Sequence, residues 1–365
     1  MGRGGDVDAA GALRRFVREA GGCAVVDGGL ATELEAHGAD LRDELWSARC
    51  LLSAPHLIRK VHLDYLDAGA NIITSASYQA TIQGFQERGL SRERSEALLR
   101  RSVHIAQEAR AIFAEGSSKG PFATHGIHHH RSAASSARCP VLVAASVGSY
   151  GAYLADGSEY TGEYGRSVTK ETLKSFHRRR LQVLADAGPD LIAFETIPNK
   201  LEAQAYAELM EEEDIRIPAW LSFTSRDGAS AASGDPIAEC AAVADSCARV
   251  AAVGVNCTAP RLIHGLVLSI RKVTSKPVVV YPNSGETYVP ETKEWVESDG
   301  GGASETTDFV SCVGRWRRAG AALVGGCCRT SPATVRAISR ALREPDGDAA
   351  SPDDDDDDLP AVAVL

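Results

Sequence analysis

Three cysteines stand directly after two short apolar runs of the chain. Cys257 ends the motif Val-Gly-Val-Asn-Cys, and Cys327 and Cys328 end the motif Val-Gly-Gly-Cys-Cys. Thiolates are ligands that zinc and copper(I) prefer, and three of them leave one position of a tetrahedral zinc site open. A catalytic metal needs such an open position, whereas a structural zinc site is closed by a fourth protein ligand. The pattern therefore favours a catalytic metal centre built from Cys257, Cys327 and Cys328.

Two other interpretations of these cysteines are compatible with the residues alone. Cysteine is among the most often buried residue types, so Cys257 by itself is typical of a hydrophobic core. The adjacent Cys327 and Cys328 also suit a redox pair that forms a vicinal disulfide and binds no metal. The chemistry depends on whether the fold brings Cys257 to the other two.

The elements that must position these cysteines are strands that end where the motifs begin. Eight short apolar runs, interpreted as strands, alternate with longer amphipathic segments, interpreted as helices. Eight repeated βα units predict an α/β fold, a (β/α)8 TIM-type barrel, with an open doubly wound sheet as the alternative. The strands are predicted at 24–26, 71–74, 141–146, 191–195, 219–223, 252–256, 277–281 and 321–324. The helices between them include 53–68, 92–114, 169–187, 200–212, 237–247 and 334–343.

A barrel of this kind places its active site at the C-terminal ends of the strands. Cys257 follows the sixth predicted strand, and Cys327 and Cys328 follow the eighth, so only the seventh lies between them. Neighbouring strands are about 4.8 Å apart, and the curvature of the barrel brings side chains at the rim closer over its mouth. The fold therefore predicts that the three sulfurs meet at one ion.

Composition describes an ordinary globular protein. Hydrophobic residues make up 44% and charged residues 24% of 365 residues. The net charge is −10, but Asp353 to Asp358 supply six of these charges, and no basic face points to a nucleic acid. No apolar run reaches the roughly 18 residues that span a bilayer, and residues 1–10 lack the apolar core of a signal peptide. We therefore expect a cytoplasmic protein with no membrane partner, whose nine cysteines are thiols rather than disulfides.

Composition also divides the chain. We predict an N-terminal helix or extension at 1–20, a barrel at 21–343 and an acidic disordered tail at 344–365. Residues 116–138 are rich in Ser, Ala, Gly and His without a hydrophobic period, which predicts a flexible insertion in the barrel. His125, His128, His129 and His130 lie in this insertion at spacings typical of a loose histidine tract rather than a rigid metal site.

Five motifs stand at the predicted strand ends, in register with the barrel rim. These are Asp27-Gly28-Gly29, Val147-Gly148-Ser149-Tyr150-Gly151-Ala152-Tyr153, Phe194-Glu195-Thr196-Ile197-Pro198, Gly254-Val255-Asn256-Cys257 and Gly325-Gly326-Cys327-Cys328. They resemble the motifs of the homocysteine S-methyltransferase family, in its plant and bacterial branch that uses S-methylmethionine. The resemblance runs from about Cys23 to Arg343.

The resemblance implies one zinc ion per chain, held by Cys257, Cys327 and Cys328, and no catalytic residue beyond that site. It implies methyl transfer from a sulfonium donor to homocysteine, giving methionine. Zinc lowers the pKa of a coordinated thiol, so no separate general base is needed. We expect the protein to act as a monomer or weak homo-oligomer on these small molecules.

The family also implies residues that hold the substrate. Asp27 and Glu195 match acids that bind the substrate amino group through charge-assisted hydrogen bonds, although each is also compatible with a capped helix N-terminus. Thr74 and Tyr78 match positions after the second strand, and Tyr78 is equally compatible with a packing role. Asn256 and Asn283, at the ends of the sixth and seventh strands, are further candidates that order either the metal ligands or the substrate.

The segment 148–164 resembles enzymes that use S-methylmethionine, with S-adenosylmethionine as a poorer donor. We expect betaine to be a less suitable donor, because the sequence shows no long C-terminal dimerisation extension like that of betaine-using relatives. Selenocysteine remains an alternative acceptor, because a close branch methylates it. Two rival hypotheses remain: a non-catalytic zinc- and thiol-binding barrel, and an open-sheet oxidoreductase that uses Cys327 and Cys328.

Overall fold

The computed structural model describes residues 8–41, 45–118, 140–285, 287–289, 294–296 and 305–343. Ten strands lie in these ranges, eight of them in one parallel sheet and two in an antiparallel pair. The eight are β1 (Ala24–Val25), β2 (Ile72–Thr74), β3 (Leu142–Gly148), β4 (Leu191–Ile197), β5 (Ala219–Phe223), β6 (Val250–Asn256), β7 (Val278–Tyr281) and β10 (Ala321–Val324). The antiparallel pair is β8 (Thr287–Val289) and β9 (Glu294–Val296).

Helices follow the strands around the outside. The α-helices are α1 (Ala9–Glu19), α2 (Leu30–Ala36), α3 (Cys50–Ser53), α4 (Pro55–Ala68), α5 (Ile82–Glu87), α6 (Arg92–Ser118), α7 (Tyr150–Leu154), α8 (Lys170–Asp186), α9 (Lys200–Glu212), α10 (Ile237–Ser246), α11 (Pro260–Arg271), α12 (Glu305–Ala319) and α13 (Pro332–Ala341). Two 3-10 helices are η1 (Trp46–Arg49) and η2 (Ser158–Tyr160). Among the described residues, no helix has the length and apolar character needed to cross a membrane.

The sheet closes into a nearly complete barrel. Its strand order is β1-β10-β7-β6-β5-β4-β3-β2, and a parallel bridge between Val26 and Ile72 joins the two end strands. The amide of Asp27 donates to the carbonyl of Ile72 at 3.0 Å, and the amide of Asn71 donates to the carbonyl of Val25 at 2.7 Å. The predicted TIM-type barrel is confirmed. The open-sheet alternative is wrong, because β1 and β2, the two end strands of the observed sheet, are joined to each other.

Strand and helix positions agree with the predictions to within a few residues, and the local signals explain why. The strands read as continuous apolar runs because both faces of a parallel barrel sheet are buried, as in β4, where all seven residues are buried. Gly69 ends α4 in a left-handed conformation with φ 107°, which glycine adopts without a steric penalty. Ser331 and Thr334 form reciprocal capping bonds around Pro332 at the start of α13.

Helix α1 packs against the interior of the barrel at the end opposite the strand termini that carry the motifs. Its Leu13, Phe16 and Val17 belong to the same buried cluster as the inward-facing Trp220 of β5. Arg14 also donates to the carbonyl of Ser275, just before β7, at 2.8 Å. The helix therefore covers the N-terminal end of the barrel, and the cavity described below lies at the C-terminal end.

Three predictions concern residues that are wholly or partly outside the described ranges. Helix α6 continues to Ser118, and the remainder of the predicted insertion, with its four histidines, lies outside the described residues. The acidic tail at 344–365 and residues 1–7 also lie outside them. These divisions of the chain stay predictions.

Gly254 in β6 offers a test of the barrel's packing next to the cysteine motif. A Cβ at Gly254 would lie 1.7 Å from the carbonyl oxygen of Val279, which is backbone and cannot turn aside. We expect Gly254→Ala to reduce the free energy of unfolding by about 2–4 kcal/mol, because β6 and β7 must separate.

The matched control is Gly265→Ala on the exposed face of α11, where the nearest atom to the new Cβ is 3.8 Å away. This substitution should stabilise the protein by about 0.5–1 kcal/mol, since alanine favours helix more than glycine does. Denaturant unfolding measures both changes. Equal stability of the two variants would contradict the described contact between β6 and β7.

Candidate metal centre and substrate cavity

The structure brings the three cysteine sulfurs of the two motifs together at the C-terminal rim. All three sulfurs lie within 4.8 Å of one another, with 3.5 Å between Cys257 and Cys328 and 4.0 Å between Cys327 and Cys328. All three are free thiols. A zinc ion with bonds of about 2.3 Å in tetrahedral geometry separates its sulfurs by about 3.8 Å. The cluster therefore has the spacing that a shared zinc ion requires.

Both cysteine loops are attached to the end of β7. The amide of Cys257 donates to the carbonyl of Tyr281 at 3.2 Å, and the amide of Cys327 donates to the carbonyl of Pro282 at 2.8 Å. Cys257 has a positive φ of 48°, which is uncommon for a residue with a side chain. Hydrogen bonds from the Cys257 and Cys328 thiols hold the pKa of Cys327 well below its usual value. The cluster thus favours one thiolate before any ion binds.

Asn256 connects the cysteine cluster to β4 and β5. It is fully buried; its side-chain oxygen accepts from the Thr196 amide and the Ser222 hydroxyl, both at 2.8 Å. Its side-chain nitrogen donates to the Thr196 hydroxyl at 2.8 Å and faces the Cys327 sulfur at 3.9 Å. Both polar atoms of the Asn256 side chain are thus engaged with Thr196 and Ser222. Asn256 therefore acts as a positioning residue for the cysteine that follows it.

Two buried carboxylates lie beside the cluster, at the ends of β1 and β4. Asp27 accepts from the amide and the hydroxyl of Thr74, at 2.7 and 3.1 Å, and Glu195 accepts from the hydroxyl of Ser146. Their partners therefore belong to β2 and β3 rather than to a helix N-terminus. Burial raises the pKa of Asp27 well above its usual value and that of Glu195 to about 7. Within the described ranges neither carboxyl forms a salt bridge, and the charge of Arg180 offsets only part of the effect of burial on the pKa of Glu195, which leaves both carboxyls suited to a cationic ligand.

These residues face one cavity of about 640 Å³ at the barrel mouth. Of the predicted residues, Asp27, Thr74, Tyr78, Glu195, Asn256 and the three cysteines line it. Its charged lining within the described ranges consists of five carboxylates, from Asp27, Glu35, Glu87, Glu159 and Glu195, and one guanidinium, from Arg329. The cavity is therefore strongly acidic and favours cationic ligands.

Asn283 is the predicted site residue that the structure does not place on this cavity wall, as far as the described residues show. Its amide donates to the Thr258 carbonyl, and its side-chain oxygen accepts from the Gly285 amide, both at 3.2 Å. It therefore supports the loop after β7, next to the cysteine loop. Its predicted role in substrate binding stays a prediction.

Several cavity residues were missed by sequence reasoning. Trp46 comes from a 3-10 helix without a strand-end motif, and nothing in its local pattern marks it. Glu159 and Tyr160 lie in the segment 148–164, whose resemblance to S-methylmethionine enzymes covers the segment as a whole and does not single out these two residues. Residues that enter a site from long loops carry no signal of spacing, because only the tertiary structure decides where the loop folds.

A buried arginine on α8 holds the loops that form one side of the cavity. Arg180 is 1% exposed, and its guanidinium donates to the carbonyls of Ser77, Tyr78 and Gly148 at 2.7, 2.6 and 2.9 Å. The planar group matches three acceptors in fixed directions, which a lysine ammonium on a flexible stem does not. Arg180 therefore places Tyr78 at the cavity from outside it.

The barrel, the acidic cavity and the three-thiol cluster that could hold a metal ion define a βα-barrel enzyme with its active site at the C-terminal rim. The family model described as homocysteine S-methyltransferase matches residues 24–342. The chain belongs to the homocysteine S-methyltransferase family and is an enzyme of it, which confirms the resemblance in its motifs.

Relatives and a solved structure extend this similarity over nearly the whole chain. Homocysteine S-methyltransferase 4 of Zea mays is 74% identical over 362 residues, covering 99% of each chain. Selenocysteine Se-methyltransferase of Brassica oleracea var. italica is 61% identical and covers 90% of this chain and 92% of its own. The metallated form of the homocysteine methyltransferase MmuM from Escherichia coli is 40% identical, with a TM-score of 0.74 over 90% of this chain and 99% of its own.

The raised pKa of Glu195 predicts a stability that depends on pH. A carboxyl whose pKa is 4.5 in the unfolded chain and about 7 in the folded protein binds its proton more tightly when folded. Its ionisation therefore destabilises the fold as pH rises from about 4.5 to 7, by about 3 kcal/mol at most. Glu195→Gln should remove this loss, so the variant should be more stable than wild type at pH 8, with the difference shrinking towards pH 4.5.

Denaturant unfolding between pH 4.5 and pH 8, with a chelator so that no bound ion contributes charge, measures the difference. The exposed Glu163→Gln serves as control and should shift stability by less than about 0.5 kcal/mol at every pH. If Glu195→Gln were less stable than wild type at pH 8, ionisation of the buried Glu195 carboxyl would not destabilise the fold, and the raised pKa would be contradicted.

Proposed function

We propose that the protein transfers a methyl group from S-methylmethionine, and less well from S-adenosylmethionine, to homocysteine with the help of one zinc ion. The observation that carries the proposal is the cluster of three thiols, from Cys257, Cys327 and Cys328, with sulfur separations of 3.5 and 4.0 Å beside an acidic cavity. Three thiolates are a donor set for zinc with one position left for a substrate sulfur.

The chemistry balances without a further reactant. The bond between the donor sulfonium sulfur and its methyl carbon breaks as a bond from the homocysteine sulfur to that carbon forms. The thiol proton of homocysteine leaves to solvent, and the donor sulfur keeps the electron pair of the broken bond. Both products of the reaction with S-methylmethionine are methionine. Zinc, when bound, would lower the pKa of the substrate thiol, so that the substrate is held as a thiolate at neutral pH.

The residues of the chain bind and orient the two substrates. Asp27 and Glu195 are buried carboxylates that form no salt bridge with the residues that the structure describes, and we assign them to the α-ammonium group of the acceptor. Thr74, through its two bonds to Asp27, fixes that carboxylate. Tyr78 lines the wall between the cysteine cluster and the loop that follows β3. Together they surround a reacting sulfur with protein dipoles rather than bulk water.

The acidic lining of the cavity supports a cationic donor. S-methylmethionine carries a sulfonium, an ammonium and one carboxylate, so it is a net cation, and five lining carboxylates against one guanidinium attract it. The segment 148–164, which contributes Tyr153, Leu154, Ala155, Gly157, Glu159 and Tyr160 to the cavity, is the part that resembles S-methylmethionine enzymes.

Selenocysteine is the second candidate acceptor. Relatives named selenocysteine Se-methyltransferase in Brassica oleracea var. italica and selenocysteine methyltransferase in Astragalus bisulcatus are 61% and 58% identical to this chain. Selenocysteine is one methylene shorter than homocysteine, and the same donor and cavity serve either acceptor.

The direct test is a methyl-transfer assay that pairs each donor with each acceptor, with and without a chelator. We expect methionine from homocysteine, formed faster with S-methylmethionine than with S-adenosylmethionine, and loss of the reaction after chelation. A higher kcat/KM for selenocysteine would assign the chain to the second acceptor. Binding of homocysteine without turnover of any sulfonium donor would overturn the proposal.

Serine substitutions test the metal ligands. We expect Cys257→Ser, Cys327→Ser and Cys328→Ser each to reduce zinc from about one ion per chain to a trace and to abolish methyl transfer, because a neutral hydroxyl is a poor zinc ligand. Elemental analysis and the assay measure both properties. Cys312→Ser on α12, outside the cluster, should retain zinc and activity. Methyl transfer by a variant with all three serines would contradict the role of the cluster.

A further inference from the structure

Glu159 is a cavity carboxylate that the assignments above leave without a role. It belongs to η2, in the loop between β3 and α8, and it lines the same cavity as the cysteine cluster. Its Oε2 atom is buried and has no hydrogen-bond partner among the residues that the structure describes. A buried carboxylate oxygen without a partner is costly, so its retention calls for a partner that arrives with a ligand.

The loop that carries Glu159 is held firmly in place. The amide of Ser158 donates to Asp156 at 2.9 Å, and the amide of Gly162 donates to the Ser158 carbonyl at 2.8 Å. A Cβ at Gly151 would lie 2.4 Å from the amide nitrogen of Glu159, so only glycine permits α7 to pack this closely against η2. The carboxylate is therefore placed in the cavity before a ligand binds.

Glu159 reaches the cavity from a different part of the fold than Asp27 and Glu195. Those two acids lie at strand ends and accept hydrogen bonds from Thr74 of β2 and Ser146 of β3. Glu159 belongs to η2, and its Oε2 accepts no hydrogen bond from the described residues. The cavity thus holds one acid that the strand ends do not engage.

Glu159 and the neighbouring Tyr160 line the same cavity as Cys257 and Cys328. A sulfonium bound in this cavity with its methyl group at the cysteine cluster would therefore share the cavity with the Glu159 carboxylate. Both substrates of the proposed reaction are amino acids with an ammonium group, and the pair formed by Asp27 and Glu195 accounts for only one of them.

We propose that Glu159 binds the α-ammonium group of the methyl donor, so that this carboxylate selects sulfonium donors that are amino acids. The inference rests on the proposed function, because it names the donor subsite of the same reaction. It adds that a sulfonium compound of the same length without an amine gains nothing from this residue.

The test compares Glu159→Gln with wild type on two donors, S-methylmethionine and 4-(dimethylsulfonio)butanoate, which has hydrogen in place of the amine. We expect the KM for S-methylmethionine to rise at least about tenfold, because a charge-assisted hydrogen bond is lost. The KM values for 4-(dimethylsulfonio)butanoate and for homocysteine should change less than about twofold. Glu163→Gln, an exposed acid of the same loop, should leave all three KM values unchanged.

A structural role for Glu159 makes a different prediction. Removing a desolvated charge should leave the thermal midpoint of Glu159→Gln equal to or above that of wild type, whereas loss of a structural carboxylate would lower it. The proposal is overturned by a lower midpoint, by an equal rise in KM for both donors, by a rise confined to homocysteine, or by no change. Failure of the wild-type enzyme to turn over S-methylmethionine would instead refute the proposed function, and calorimetric binding of that compound to both proteins would still test Glu159.

Discussion

Two consecutive carbonyls at the end of β7 determine the geometry of the sulfur cluster. Tyr281 accepts from the amide of Cys257, and Pro282 accepts from the amide of Cys327. The first bond continues the ladder between β6 and β7, and the second continues the ladder between β7 and β10. A shift in either register would carry a cysteine away from its partners, because each ladder step moves a residue by about 3.3 Å. The geometry of the sulfur cluster is therefore a property of strand pairing.

The cavity concentrates negative charge at a place where the protein offers little to offset it. Asp27 and Glu195 are buried, and their hydrogen bonds come from neutral groups, the amide and hydroxyl of Thr74 and the hydroxyl of Ser146. These bonds lower the cost of burying each carboxyl but do not remove it, which is why the pKa of Glu195 stands at about 7. Stability given up in this way is available to a cationic ligand as binding free energy.

Positioning residues behind the cavity explain how soft loops form a rigid site. Arg180 donates to carbonyls in the loop after β2 and at the end of β3, and Asn256 at the end of β6 bonds to residues near the ends of β4 and β5. Glu202, also buried, accepts from the amide of Tyr150 at 2.6 Å and from His177 at 2.8 Å, and so attaches α7 to α8 and α9. Each network saturates backbone groups that a loop would otherwise expose to water. Their combined effect is to hold the cavity-lining residues at the ends of β2, β3, β4 and β6 in fixed positions.

The barrel and the three clustered cysteines could be predicted from the amino-acid sequence. Apolar runs such as 191–195 and 219–223 can be recognised as strands because parallel strands are buried on both faces. The motifs at 254–257 and 325–328 can be recognised as candidate site motifs because catalytic groups follow strand ends in a barrel. Tertiary structure decided the rest. The distances between sulfurs, the support that Arg180 gives to Tyr78 and the entry of Glu159 and Trp46 into the cavity depend on contacts between segments far apart in the chain. Local patterns record which face of an element is buried, but they do not record which distant group it meets.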